Sequence, residues 1–177
     1  LSFTLHQLYE KRDRKKRLLT LAAYRDELGR VNGALSKHAD RIYESLPDDD
    51  HRDFMKKLVL RMVMLNDGSY SRRKVYRQTS STLKKGGFID EFDYPDHLDP
   101  VKDAVLDILE DALLIRSGKD DLGKYVEPMH DSLLNYWPRC LEWIKAFGHE
   151  HLVLQRQIWQ AVVEHHQWVK PDTLLAD

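Results

Sequence analysis

The chain has 177 residues, with 28 Lys and Arg against 29 Asp and Glu, so its formal charge of −1 excludes attraction of nucleic acid or anionic membranes by net charge. Its longest apolar run, residues 58–65, contains Arg61 and is far too short to span a bilayer, which excludes a transmembrane segment. The single cysteine, Cys140, excludes an intramolecular disulfide and a thiolate-rich zinc site, as is typical of proteins in the reducing cytoplasm. Because the chain has neither an initiator Met nor a signal-peptide pattern, we interpret it as part of a longer cytoplasmic protein.

The first third of the chain is predicted to be helical. A helix over the first residues leads into the basic run 11–17, and a shorter helix starts at Thr20. In the next helix, small and apolar residues and one histidine recur every three or four positions: Val31, Ala34, Leu35, His38, Ala39, Ile42 and Leu46. Pro47 ends this helix, and the three aspartates at 48–50 supply N-cap oxygens and favourable charge for its successor.

The successor is expected to be a central helix, because residues 54–65 are apolar almost all round. Residues 66–69, with the sequence Asn-Asp-Gly-Ser, then end it as a loop. Between residues 72 and 95 the pattern is ambiguous, and only a short strand at 74–76 is predicted there.

A one-sided helix is predicted next, with Asp99 as its N-cap and Pro100 in its first turn. It is followed by a β-hairpin, whose two short strands lie around residues 113–115 and 125–126 and are joined by a polar turn.

Helical periodicity returns after the hairpin. A helix begins at Asp131, is kinked or restarted at Pro138 and stops at Gly148, and a last helix covers residues 152–163. A hairpin after a compact three-helix core is the order of a winged-helix domain. We therefore predict a mainly α fold in which the hairpin is the wing.

Two blocks of sequence resemble one family of signalling ATPases. The first lies within residues 19–40 and includes Leu19-Thr20-Leu21-Ala22-Ala23-Tyr24 and His38-Ala39-Asp40. The second lies within residues 126–143 and includes Met129-His130-Asp131-Ser132-Leu133-Leu134 and Trp137-Pro138-Arg139. Both resemble the bacterial STAND NTPases, the signal-transduction ATPases with numerous domains, which are related to the apoptosome and NOD-like receptor ATPases. The resemblance covers most of residues 1–168.

The resemblance implies that the chain is divided into three structural parts. Residues 1–46 would be the helical segment that follows the ATPase core, residues 47–148 the winged-helix domain, and residues 149–177 a C-terminal helix and tail. The whole would be a non-catalytic regulatory module that closes over bound ADP and changes conformation on nucleotide exchange.

The resemblance also implies one binding residue. In the apoptosome and NOD-like relatives, the histidine of a Met-His-Asp triplet contacts the β-phosphate of ADP, and here the triplet is Met129-His130-Asp131. His130 would therefore bind the nucleotide, which is physically reasonable because a ring nitrogen at a strand-to-helix junction can donate to a phosphate oxygen. Asp131 stands where the bacterial branch usually has Glu. It would cap the helix or orient its neighbours rather than contact the phosphate.

Cofactor and partners follow from the same resemblance. ADP or ATP would be bound by the intact parent protein, the ATPase core of the same parent chain would be the partner, and the parent would form an oligomer on activation. These residues contain no G-x-x-x-x-G-K-[ST] loop and no apolar strand ending in acidic residues for Mg²⁺. The chain alone is therefore not expected to be an enzyme or to hold ADP or ATP.

Two alternatives stay open from the residues themselves. His130 is alternatively a histidine that caps a helix and bonds to the backbone. The domain is alternatively a winged-helix interaction module for protein or nucleic acid without nucleotide coupling. Against DNA, the helix before the wing exposes carboxylates that would meet the phosphates with the wrong sign: Asp103, Asp107, Glu110 and Asp111.

The other chemistry-bearing side chains favour structural roles. His38 lies on an apolar stripe, which is typical of a packed histidine with one satisfied nitrogen, and Cys140 favours a small buried hydrophobe over a nucleophile. The four tryptophans lie at helical spacings and favour packing. No metal site is predicted, because no recognised zinc spacing joins His149, His151, His165 and His166.

Overall fold

The computed structural model describes residues 30–66, 68–77, 98–120 and 123–169, together with residues 8, 9, 12, 13, 15–21 and 25. Its main elements, in chain order, are α1 (Arg30–Ser45), α2 (Asp49–Arg61), β1 (Val63–Asn66), β2 (Ser69–Arg72), β3 (Val75–Arg77), α3 (Asp99–Asp111), β4 (Ile115–Asp120), β5 (Gly123–Pro128), α4 (Ser132–Tyr136), α5 (Pro138–Phe147) and α6 (His149–Val169). The two helices predicted before residue 30 lie largely outside the described residues. Because the helices are combined with two small antiparallel sheets, the fold is mixed α and β rather than mainly α.

Helices α1 and α2 meet at the predicted break. Helix α1 ends at Ser45, two residues before Pro47. Asp48 then caps α2, since its Oδ1 accepts the backbone N–H of His51 at 3.0 Å. The prediction of a proline stop followed by an aspartate cap is confirmed.

The end of α2 was predicted wrongly. The helix ends at Arg61, and Val63–Asn66 forms strand β1, which pairs with β2 so that Asn66 lies opposite Ser69. Gly68, at φ +83°, adopts the left-handed conformation that tight hairpin connections need. A short apolar run is compatible with a strand as well as with a helix, and here the residues form a strand because they pair with β2.

The second sheet contains the predicted hairpin. Its strand order is β3-β5-β4, and both pairs of strands are antiparallel. The hairpin and the short strand near residues 74–76, found at Val75–Arg77, are therefore confirmed. The bounds of the hairpin differ from the prediction, since Leu113 and Leu114 precede β4 and the strands extend further into the predicted turn, to Asp120 and Gly123.

Helix α3 begins one residue earlier than expected and ends in an unusual residue. Leu98 occupies the N-cap position without a side-chain hydrogen bond, while Asp99 lies in the first turn and pairs with Lys102. At the other end Leu113 has φ +56°, and the N–H of Leu114 donates to the carbonyl of Leu109 at 3.0 Å. This is a Schellman ending with leucine where glycine is usual.

The segment after the hairpin is divided as predicted. Trp137 is extended (φ −83°, ψ 110°) between α4 and α5, and Pro138 starts α5. Gly148, at φ +93°, ends α5 by donating its N–H to the carbonyl of Ile144 at 3.1 Å. The restart at Pro138 and the stop at Gly148 are confirmed.

One hydrophobic core joins these elements. Helix α1 contributes Ala39, Leu46 follows its last residue, and the largest fully buried side chains from the rest of the core include Phe54, Met55, Leu58, Leu109, Leu134 and Trp137. Burial of Cys140, predicted from its position on an amphipathic helix, is confirmed. Within the described ranges, no helix combines the length and hydropathy needed to cross a bilayer.

Candidate functional site

The Met129-His130-Asp131 triplet lies where β5 passes into α4. The N–H of Met129 donates to the carbonyl of Leu114 at 2.9 Å, which extends the pairing of β4 with β5 by one step. His130 is exposed, and its carbonyl accepts the N–H of Leu133 at 3.1 Å. No group in the described part of the chain bonds to its imidazole, and the N-cap of α4 is Asp131 instead.

Asp131 does not cap α4 with its side chain. Its Oδ1 accepts the backbone N–H of Arg72 at 3.0 Å and lies 4.0 Å from the Arg72 Nε. The same guanidinium donates from Nη1 to the carbonyl of Met129 at 3.4 Å. Both neighbours of His130 are therefore bonded to strand β2, which fixes the backbone that carries the exposed imidazole.

Asn135 makes a second connection to β2, which no pattern in the sequence predicted. Its Oδ1 accepts the N–H of Tyr70 at 3.2 Å, and its Nδ2 donates to the carbonyl of Tyr70 at 2.6 Å. Nδ2 also donates to the carbonyl of Asp131 at 2.9 Å. The only sequence signal was the i, i+4 spacing of Asp131 and Asn135, which places both on one side of a helix.

The two blocks that carry the family resemblance meet at Asp40. Its Oδ1 accepts Nε1–H of Trp137 at 2.9 Å and Nε–H of Arg139 at 2.8 Å. Nη2 of Arg139 reaches Oε1 of Glu44 at 3.1 Å, and its guanidinium lies 4.4 Å from the ring centroid of Tyr43. The hydrogen bond to Asp40 raises the pKa of Arg139 above its usual value. This ion pair joins α1 to α5.

Aromatic packing reinforces that junction. Trp137 is fully buried and meets Trp143 edge to face at 5.1 Å, and Trp143 lies 5.3 Å from Tyr43. Farther away, Trp159 of α6 stacks on Tyr76 of β3 at 5.3 Å. The packing role predicted for the tryptophans is confirmed for these three, while the side chain of Trp168 lies outside the described residues.

Helix α1 is also connected to the residues around it through Ser36 and His38. Oγ of Ser36 donates to the carbonyl of Tyr136 at 2.8 Å, and Nε2 of His38 lies 2.9 Å from the carbonyl oxygen of Ala112. Burial lowers the pKa of His38, the largest cause being desolvation of the charged ring. The predicted packed histidine with one satisfied nitrogen is confirmed.

The other candidate residues offer neither a reactive thiol nor a metal site within the described part of the chain. Burial raises the pKa of the Cys140 thiol to about 12, so it is protonated and unreactive at neutral pH. The described residues bring no three metal-ligating side chains together. The exposed side of α3 is acidic as predicted, although Asp103 pairs with Arg77 and Glu110 with Ser117.

The chain matches a known family of proteins. No curated protein and no solved structure matches the chain. A family model described as Novel STAND NTPase 1 matches residues 1–172, which include the Asp40 junction and the Met129-His130-Asp131 triplet. The chain therefore belongs to the Novel STAND NTPase 1 family.

Proposed function

We propose that this chain is a non-catalytic regulatory module of a STAND-type ATPase, and that His130 donates to a phosphate oxygen of ADP bound in the intact protein. The observation that carries the proposal is the exposed imidazole of His130 on a backbone held by both neighbours, Met129 and Asp131. Because this backbone is already held, only rotation of the His130 side chain has to be restricted when the phosphate arrives, so less of the hydrogen-bond energy is lost to ordering the site.

We further propose that residues 47–148 form a winged-helix domain. Two observations support this assignment: the strand order β3-β5-β4, and the succession β3, α3, β4, β5, which follows α2 after the additional hairpin of β1 and β2. The hairpin of β4 and β5 would be the wing. The triplet then follows the last strand of the wing directly, so His130 would face a nucleotide held by the ATPase core.

The regulatory step is a population shift. ADP favours the closed state only by binding it more tightly than the open state, and the His130 contact would supply part of that difference. Exchange for ATP would release the contact and open the module. The hydrogen bonds of Asp40 to Trp137 and Arg139 support movement of α1 together with the domain.

A DNA-binding role is not favoured. The helix that would have to enter the major groove, α3, exposes carboxylates on its outer side, including Asp103, Asp107 and Asp111. Their charge repels phosphates, so we expect duplex binding to be weak and independent of sequence.

The proposal is tested with His130→Ala in the intact protein. A hydrogen bond to a charged group contributes about 1.5 to 3 kcal/mol, so ADP affinity should fall about ten- to a hundredfold. ADP should dissociate correspondingly faster, and the protein should become active without its trigger.

The matched control is His149→Ala, which removes another exposed histidine at the start of a helix. It should leave ADP release unchanged. The melting temperature of the His130 variant should also be unchanged, because an exposed ring contributes little packing. Unaltered ADP release in His130→Ala, or loss of its fold, contradicts the proposal.

A further inference from the structure

Strand β2 has a second row of backbone hydrogen bonds besides its pairing with β1. In an antiparallel pair, alternate residues turn their N–H and C=O groups away from the partner strand. Tyr70 and Arg72 are two such residues of β2, and the side chains of Asn135 and Asp131 bond to them. The N-cap residue of α4 and the residue four positions later thus occupy the place of a third strand.

The chemistry of an asparagine amide suits this place. A strand residue presents one donor and one acceptor, and the amide of Asn135 offers the complementary acceptor and donor, at 3.2 and 2.6 Å from Tyr70. Alanine at this position would keep the helix but lose both bonds.

Strand β2 is itself held in the fold, so it can act as a fixed support. The N–H of Arg73, which follows β2, donates to the carbonyl of Met62 at 2.8 Å. Gln155 of α6 donates from Nε2 to the carbonyl oxygens of Arg61 and Val63, at 3.3 and 3.2 Å. The hairpin is therefore bonded to α4 and α6, and Gln155 of α6 also bonds to Arg61, the last residue of α2.

We propose that Asn135 is a positioning residue for His130: by bonding α4 to the outer edge of β2, it holds the triplet where the imidazole meets the nucleotide. This inference rests on the proposed function of His130. Asn135 lies five residues beyond His130 and acts through the backbone, since its Nδ2 also bonds to the carbonyl of the adjacent Asp131.

The first measurement is amide hydrogen exchange in the intact protein. In Asn135→Ala the N–H of Tyr70 loses its acceptor, so the peptide that contains β2 should exchange about tenfold faster at that amide. The matched control is Asn66→Ala, at an exposed asparagine of β1 whose side chain bonds to no described residue. Unchanged exchange in Asn135→Ala overturns the proposal.

The second measurement is ADP release by Asn135→Ala, His130→Ala and the double variant. Asn135→Ala alone should release ADP about three- to tenfold faster, and the double variant no faster than His130→Ala. This non-additivity separates positioning from general destabilisation, which would accelerate release in both backgrounds.

The outcomes distinguish the two proposals. If His130→Ala accelerates release and Asn135→Ala does not, or if the two effects multiply, the positioning role is wrong and the proposed function stands. If His130→Ala has no effect, both fail, whatever the exchange of Tyr70 shows. If Asn135→Ala does not fold, the same measurements are made on Asn135→Gln, and the same outcomes decide. Glutamine keeps both polar groups but displaces them by one methylene.

Discussion

Oδ1 of Asp40 lies 2.8 Å from Nε of Arg139, although the two residues are 99 positions apart in the chain. The same oxygen accepts a hydrogen bond from the fully buried indole of Trp137. A single carboxylate of α1 thus satisfies two donors at the start of α5. The two blocks of the family resemblance are therefore joined directly through Asp40.

The first prediction concerns this carboxylate. Asp40→Ala should lower the free energy of unfolding by about 2 kcal/mol, because it leaves the buried N–H of Trp137 without its acceptor. Asp40→Asn, which keeps an acceptor, should cost less than about 1 kcal/mol, since the pair with Arg139 is partly exposed. Urea denaturation measures both. Glu44→Ala is the control and should have almost no effect, and an equal loss in all three variants would contradict the assignment.

The second prediction concerns Leu113, a half-exposed leucine in the left-handed conformation. Leu113→Gly should raise stability by about 1 kcal/mol, because glycine adopts this conformation without the steric cost. Leu113→Ala keeps that cost and gives no such gain. Thermal denaturation of the two variants separates the backbone effect from loss of the side chain. A glycine variant less stable than the alanine variant would show that the leucine side chain contributes more than its conformation costs.

The third prediction is a pH dependence. The pKa of His38 is lowered in the folded chain, so its contribution to stability is present above the unfolded value, near 6.5, and is lost as pH falls through the lower folded value. His38→Gln retains a donor for the carbonyl of Ala112 and does not titrate. Between pH 7.5 and 5.5 the wild type should lose more stability than the variant, by less than about 1 kcal/mol because solvent partly screens the site. Urea denaturation measures both proteins, and an equal loss of stability in the wild type and in His38→Gln would contradict the prediction.

The fourth prediction concerns Cys140. Burial raises its thiol pKa from 9.0 to about 12, so thiolate in the folded chain at pH 8 should be about a thousandfold scarcer than in the unfolded chain. A thiol reagent should label the folded 177-residue chain at least that much more slowly than the same chain in denaturant. Rapid labelling of the folded chain would show that Cys140 is accessible.

Local signals in the sequence predicted much of the fold. Pro47, Pro138 and Gly148 restrict or permit backbone angles by themselves, so the helix boundaries that they set were predictable. The hairpin of β4 and β5 was predictable for a similar reason, since apolar segments flank a polar turn. The location of His130 between a strand and a helix follows from those two elements.

Long-range contacts decided the rest. Residues 63–66 carry an apolar pattern that suits either structure, and only pairing with β2 makes them a strand. Asn135 and Asp131 have no local feature that predicts a bond to Tyr70 or Arg72, which are about 60 positions earlier in the chain. The connections around the candidate site were therefore outside what periodicity and capping rules can predict.

We expect the row of side-chain hydrogen bonds along β2 to protect the protein from self-association as well. A strand with open N–H and C=O groups on one side is a template for strands of other molecules, and proteins protect such edges by covering them. Here Asn135 and Asp131 occupy the groups of Tyr70 and Arg72, so the two-stranded sheet offers little free backbone for intermolecular pairing on that side. Variants that detach α4 from β2 should therefore self-associate as concentration rises, even where the monomer still folds.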